Sequence, residues 1–392
     1  MQNRNIKLFY LLEAILSLSG GIILPVYVCY FRFFDITLFQ VALLAVVFEA
    51  TIILFEFPTG LFADKFGRKF STSIGFFLMA VAGSIFFSFR TFYGFLAAEI
   101  IFGIAETFIS GALEALTVDS IDRENGQRPL AKLFANRTVF KTSALLTGML
   151  FGGLLAEYYL PYLFYPMVLL SVTGLTFTFL LLEAKTEKSS QSALNESKKP
   201  DNRLWKVIFS NRAILALFAV GLMANFAFEP ADQFWQVMFS EQKQLPLISF
   251  GFLTAAGLVV VAAVAKFTEK LYKYLTIYIT GCFILAGLSL YIVATLTVYP
   301  AVAGIVVYFI VKELIRPAIS THLNQQFNLD NRAIYLSTYN LTCSVGEVAA
   351  GLVAGWLASG YGLNFIFYFA AATALLVPLI YLVINGSRPT RI

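Results

Sequence analysis

Residues 37–69 read TLFQVALLAVVFEATIILFEFPTGLFADKFGRK. The stretch opens with an apolar run over 37–59. A helix crossing the hydrocarbon core of a bilayer takes about 20 such residues. The chain then turns abruptly polar from Gly60 to Lys69 and enters a second apolar run over 70–90. Two membrane helices joined by a short basic turn satisfy this pattern, because backbone groups in lipid must be paired within the helix itself.

The composition of the whole chain agrees. Of its 392 residues, 59% are hydrophobic and only 13% are charged, against about 45–50% and about 25% in soluble domains. So little charge cannot cover a soluble fold of this size, so much of the apolar surface must face lipid. The 41 Phe and 19 Tyr suit membrane interiors and interfaces. Runs of spanning length are predicted at 8–30, 37–59, 70–90, 92–116, 138–157, 162–182, 213–235, 247–266, 274–295, 298–320, 333–357 and 363–385. The expected fold is an all-α membrane protein of twelve transmembrane helices in two six-helix bundles.

One extended polar stretch, beginning EAKTEKSSQSALNESKKPDNR at Glu183, divides the chain. Its Lys, Glu, Ser and Asn content suits a flexible linker. The expected domains are residues 1–182, a cytoplasmic linker at 183–212, and residues 213–392. A faint internal echo accompanies the split. Asn136–Arg137 leads into the fifth run with Gly148 beyond it, and Asn331–Arg332 leads into the eleventh with Gly346 beyond it.

Orientation follows from the distribution of basic residues. With the N-terminus in the cytoplasm, 23 of the 28 Lys and Arg fall on the cytoplasmic side. Only Arg32, Arg90 and Lys243 fall on the other side, while Lys312 and Arg316 lie within the tenth run. Both termini are therefore expected inside, in a cell membrane. Arg4 and Lys7 precede a long apolar run with no small-residue cleavage site, so the first segment is expected to remain a membrane helix. Cys29, Cys282 and Cys343 each sit in an apolar run, far apart, and His322 is the single histidine. This argues against a metal site or disulfide framework. Basic residues confined to short loops argue against nucleic-acid binding, and no nucleophile, metal or cofactor constellation suggests an enzyme.

The segment Gly60-Leu61-Phe62-Ala63-Asp64-Lys65-Phe66-Gly67-Arg68-Lys69 resembles the loop signature G-x-L-a-D-r-x-G-r-k of the major facilitator superfamily. It follows the second run on the basic side, as in that family, and the six-plus-six split matches the family's parallel halves. Chemically, Gly60 would let a neighbouring helix approach, Gly67 permits a tight turn, and Asp64 can meet a helix N-terminus or Arg68. The resemblance implies that Asp64 and Arg68 lock a cytoplasmic gate. The matching loop of the second half, Lys266-Phe267-Thr268-Glu269-Lys270, is degenerate.

Carboxylates fall within the predicted runs, among them Glu13, Glu49, Glu56, Glu99, Glu106, Glu114, Glu229, Glu313 and Glu347. A charge near the bilayer centre costs about 2.5–3.5 kcal/mol on insertion scales. Several share a helical face: Glu99, Gly103, Glu106, Ser110 and Glu114 in the fourth run; Asn225, Glu229, Asp232 and Gln236 in the seventh; Asn340, Ser344, Glu347 and Gly351 in the eleventh; Glu13, Ser17 and Gly20 in the first. In the family, the first, fourth, seventh and tenth helices line a central cavity. Three of the faces lie on such helices, and the tenth carries Lys312, Glu313 and Arg316. Glu106 and Glu229 are the leading candidates to bind a proton or cationic substrate, with Glu13, Glu49, Glu99, Glu347, Asn225 and Asp232 beside them. Glu56 and Glu114, near the cytoplasmic boundary, suit structural roles. Lys312, Glu313 and Arg316 either serve the site or neutralise one another.

The resemblance to the family's proton-coupled drug exporters is incomplete. Those proteins carry an Arg four residues before a Gly in the fourth helix, where this chain has Glu99 before Gly103. Their fifth helix has a Gly-Pro, whereas here Gly148, Gly152 and Gly153 occur without Pro. The segment from Phe228 to Trp235 suits either a substrate contact or an interfacial aromatic belt, with Pro230 able to bend it.

The expected function is secondary active transport by alternating access, as proton-coupled export of a small cationic or amphipathic organic compound. Uptake or facilitated diffusion of a small polar solute, with the acids structural, is the alternative. A transport-inactive receptor would be expected to carry a large soluble domain. The expected partners are a small-molecule substrate, protons and the lipid bilayer, with no cofactor, and the protein is expected to be a monomer.

Overall fold

The computed structural model describes residues 2–122, 130–181, 211–326 and 332–385, and among these every regular element is helical. The helices are α1 (Gln2–Ile23), α2 (Tyr27–Phe33), α3 (Leu38–Phe66), α4 (Arg68–Ser88), α5 (Phe92–Asp122), α6 (Leu130–Tyr159), α7 (Tyr165–Phe179), α8 (Arg212–Val237), α9 (Ile248–Thr268), α10 (Leu275–Thr295), α11 (Val298–Gln326), α12 (Arg332–Tyr361) and α13 (Leu363–Asn385). A short 3-10 turn at Leu24–Val26, carrying Pro25, joins α1 to α2 within one span. Among the described residues, ten spans are long and apolar enough to cross a membrane, and α7 and the apolar part of α9 are shorter apolar helices. Leu54 at 69% exposure, Phe57 at 74%, Ile277 at 74% and Val383 at 82% present large apolar side chains outward. Lipid, not water, is the solvent that accepts such a surface.

Local chemistry sets several helix ends. Thr37 and Gln40 form a reciprocal capping box at the start of α3. Asn211 Oδ1 accepts from the backbone N–H of Ala213 at 3.0 Å and opens α8. The expected linker lies outside the described residues except for Asn211 and Arg212, which already belong to that helix start. Helix α3 runs through Gly60 and Asp64 to Phe66, so most of the signature segment is helical and not loop. The turn narrows to Gly67, whose φ of 102° is readily reached only without a side chain.

The chain clusters into two compact units. Unit 1 comprises Met1–Lys185 with Gln244–Ala255, and unit 2 comprises Thr186–Lys243 with Ala256–Ile392. The start of α9 therefore belongs with unit 1, where Ile248 N–H donates to Glu157 Oε2 at 3.1 Å. In unit 1, α1 packs on α6 and α7, and α4 on α5 and α7. In unit 2, α8 packs on α12 and α13, and α10 on α11 and α13. These pairings coincide when each span is advanced by six, whereas the α3–α5 packing of unit 1 is not matched to the same extent by α9 and α11 among the described residues. Gly148 of α6 lies where a Cβ would sit 2.6 Å from the Leu18 carbonyl oxygen of α1, and Gly346 of α12 lies in the same way against the Leu222 carbonyl of α8. Each glycine lets two backbones approach closely.

Candidate functional site

In unit 2 the site is built on α8. Its seventh-span face carries Asn225, Glu229 and Asp232, spaced so that successive side chains overlie one another. Asp232 is held from α11 twice: Lys312 Nζ donates to Oδ2 at 2.6 Å, and Tyr308 Oη donates to Oδ1 at 2.9 Å. Tyr308 is fully buried and also lies within 3.1 Å of the Phe228 carbonyl. Glu229 accepts a hydrogen bond from Gln233 Nε2 at 2.8 Å. The charges of Asp232, Glu347 and Lys312 all act on it. Asn225 Nδ2 donates to the Gly221 carbonyl at 2.8 Å, a contact within its own helix.

Lys312 thus turns to Asp232. Glu313 and Arg316 are exposed, and no ion pair joins them or ties Lys312 to Glu313 among the described residues. Lys312 pairs with the partly buried Asp232, and the charge of Glu313 also acts on it. The charges of Asp232, Glu313 and Glu229 act on this lysine, and those of Asp232 and Glu347 act on Glu229. The aromatic residues near Pro230 are core: Phe228 stacks on Phe283 at 5.4 Å, and Trp235 meets Phe309 edge-on at 5.3 Å. Both are buried.

In unit 1, Glu13 of α1 is buried and pairs with Arg137 of α6 at 2.8 Å. The Arg137 guanidinium also lies 5.6 Å from the Phe9 ring centroid, a favourable cation–aromatic arrangement. Glu106 of α5 is half-buried and lies within electrostatic reach of Lys141 of α6 and of Glu13. Two turns away on α5, Glu99 is fully buried and hydrogen-bonded to the Tyr27 hydroxyl of α2. Its second oxygen, Oε2, has no partner among the described residues. Glu49 of α3 is half-buried and stands apart from these groups, and the Glu114 side chain lies outside the described residues.

The signature residues line a cleft of about 190 Å³ in unit 1, formed by Glu56, Gly60, Asp64 and Arg68 with Thr107 and Ser110 of α5 among its walls. Asp64 is exposed at the end of α3. Gly60 does not serve a close helix contact, because a Cβ there would meet nothing within 4 Å. The cleft on that side leaves the position open.

The model of the Major Facilitator Superfamily matches residues 9–312. The chain belongs to the major facilitator superfamily. Its membership makes it a multi-pass membrane protein of a transporter family, on the all-α plan expected from its apolar runs. The uncharacterized MFS-type transporter YxaM of Bacillus subtilis (strain 168) is 22% identical over 385 residues, covering 95% of this chain and 94% of its own. Multidrug resistance protein 1 of the same organism is 22% identical over 381 residues, covering 95% of each. Among solved structures, the nucleoside transporter NupG superposes with a TM-score of 0.79 at 12% identity, covering 98% of this chain and 100% of that one. A POT family transporter does so at 0.75 and 13% identity, covering 97% and 96%. At such identities the superfamily fold is what is shared.

Tyr27, Arg137, Tyr308 and Gln233, which hold the acids of this superfamily member, were not among the residues expected at the site. Two of them carried a signal in the spacing, since Gln233 follows Glu229 by four residues and Tyr308 precedes Lys312 by four.

Proposed function

We propose that the protein is a secondary active transporter working by alternating access, and that it exports small cationic or amphipathic organic compounds in exchange for protons. The observation that carries this reading is the division of hydrogen-bond partners between Asp232 and Glu229. Asp232 is neutralised at 2.6 Å, while Glu229 receives only a neutral amide hydrogen bond. A carboxyl inside the membrane with no base of its own is suited to take up and release a proton, or to exchange it for a cation. The relative named as a multidrug resistance protein supports the export direction. Glu106, near Glu13 and Lys141, is the matching candidate in unit 1, and Asp64 with Arg68 forms the cytoplasmic gate. In this proposal the chain sits in a cell membrane with both termini in the cytoplasm, acts as a monomer, and carries its halves at 1–182 and 213–392.

The reading is tested by flux in proteoliposomes under an imposed pH gradient, across a panel of organic cations and neutral polar solutes. Cation movement driven by the gradient supports it. Movement of polar solutes alone, indifferent to the gradient, contradicts it. Asp64→Asn should slow turnover while leaving substrate binding intact, and unchanged turnover would place the gate elsewhere.

A further inference from the structure

Glu229 and Gln233 lie one turn apart on α8, and Gln233 Nε2 donates to Glu229 Oε1 at 2.8 Å. Gln233 is 8% exposed, and its Oε1 is buried with no hydrogen-bond partner among the described residues. Buried polar atoms are ordinarily paired, and each exception calls for a physical reason. The chemistry of the two side chains supplies one. An ionised carboxylate only accepts hydrogen bonds, whereas a protonated carboxyl both donates and accepts. A primary amide also has both capacities, side by side. With Glu229 ionised, the amide can use only its N–H, and its oxygen is left idle beside an anion. With a proton on Glu229 Oε2, the acid O–H can donate to Gln233 Oε1 while the existing N–H bond to Oε1 of Glu229 persists, which closes a two-bond ring.

We infer that Gln233 is a positioning residue that holds the coupling proton on Glu229 as a cyclic acid–amide pair. The inference rests on the reading of Glu229 as a proton carrier. The balance is simple: a proton arrives from water, an O–H bond forms at Glu229 Oε2, the carboxyl becomes neutral, and release reverses the step. The neighbouring charged groups do not take over this task. Lys312 of α11 and Asp232 of α8 bond to each other, Tyr308 of α11 donates to Asp232, and Glu347 of α12 is a like charge. Helix α13, which also packs on α8, contributes none of the charged groups that act on Glu229. Among the described residues, the Gln233 amide is the group shown hydrogen-bonded to Glu229.

The test is infrared difference spectroscopy of the full chain in lipid vesicles between high and low pH. Acidification should give a carboxylic C=O band that is absent in Glu229→Gln. In the unmodified protein this band should lie at the low-wavenumber end of the carboxylic range, because both oxygens are hydrogen-bonded. In Gln233→Met, which keeps length but removes the amide, the band should move to higher wavenumber. Gln233→Asn, one methylene too short to close the ring, should do the same. A band unmoved in either folded variant overturns the inference and leaves Glu229 as a proton carrier without this partner. An unmodified-protein band already at the free-acid end overturns it without any Gln233 variant. Loss of every Glu229-dependent band overturns the proton-carrier reading as well.

Discussion

Lys312 Nζ lies 2.6 Å from Asp232 Oδ2, joining α11 to α8. Removing one partner of a buried ion pair costs about 3–5 kcal/mol, because the other charge is stranded. Here the side chains are 34% and 23% exposed, so the loss should fall toward the roughly 1.5–3 kcal/mol of a charge-assisted hydrogen bond. Asp232→Asn should therefore lower the midpoint of thermal unfolding, and adding Lys312→Met should restore much of it. A double variant no more stable than the single one would show that Lys312 finds another anion.

The Glu13–Arg137 pair ties α1 to α6 at 2.8 Å, with the Glu13 side chain only 8% exposed. Burial is deeper than for Asp232, so Arg137→Met should be the more damaging change, approaching the full 3–5 kcal/mol or so of a stranded charge. Glu13→Gln in the same chain should recover stability, since two neutral side chains leave no unpaired charge. Thermal unfolding of the single and double variants in detergent measures this directly. Equal melting of Arg137→Met and the unmodified protein would mean that Glu13 does not need this partner.

Two glycines should respond oppositely to a methyl group. At Gly148 a Cβ would sit 2.6 Å from the Leu18 carbonyl oxygen, which as backbone cannot step aside without moving α1. Gly148→Ala should lower the yield of folded protein and its melting temperature. At Gly60 a Cβ meets nothing within 4 Å, in the interior of α3. Gly60→Ala should fold at least as well as the unmodified chain, because alanine is favoured over glycine in a helix by about 1 kcal/mol. The comparison is read from size-exclusion profiles and thermal scans of the two variants, and the reverse order would contradict the packing described for α1 and α6.

Much of the architecture is legible in the sequence. Length and polarity alone place the spans, since lipid demands long runs with paired backbones, and the residues from Gly60 to Lys69 carry the family. Boundaries were less legible: α3 continues through Asp64 because nothing before Gly67 forbids helix, although the segment reads as a polar turn. At the site, the acids stand out by their cost in lipid, whereas their partners do not. Tyr27 meets Glu99 from another span, and no spacing within one helix reports such a contact. Arg137 was visible only as half of a repeat. Gln233 was hidden for a different reason: next to the acids Glu229 and Asp232, a neutral amide at the right spacing looks like a bystander.

The central claim is that a membrane carboxyl, Glu229, carries the proton that drives transport. Proteoliposomes holding either the unmodified protein or Glu229→Gln should be compared in two assays: exchange of a transported cation at equilibrium, and its accumulation driven by a pH gradient. The account predicts that Glu229→Gln retains exchange and loses accumulation. Gradient-driven accumulation that persists undiminished in Glu229→Gln would contradict it.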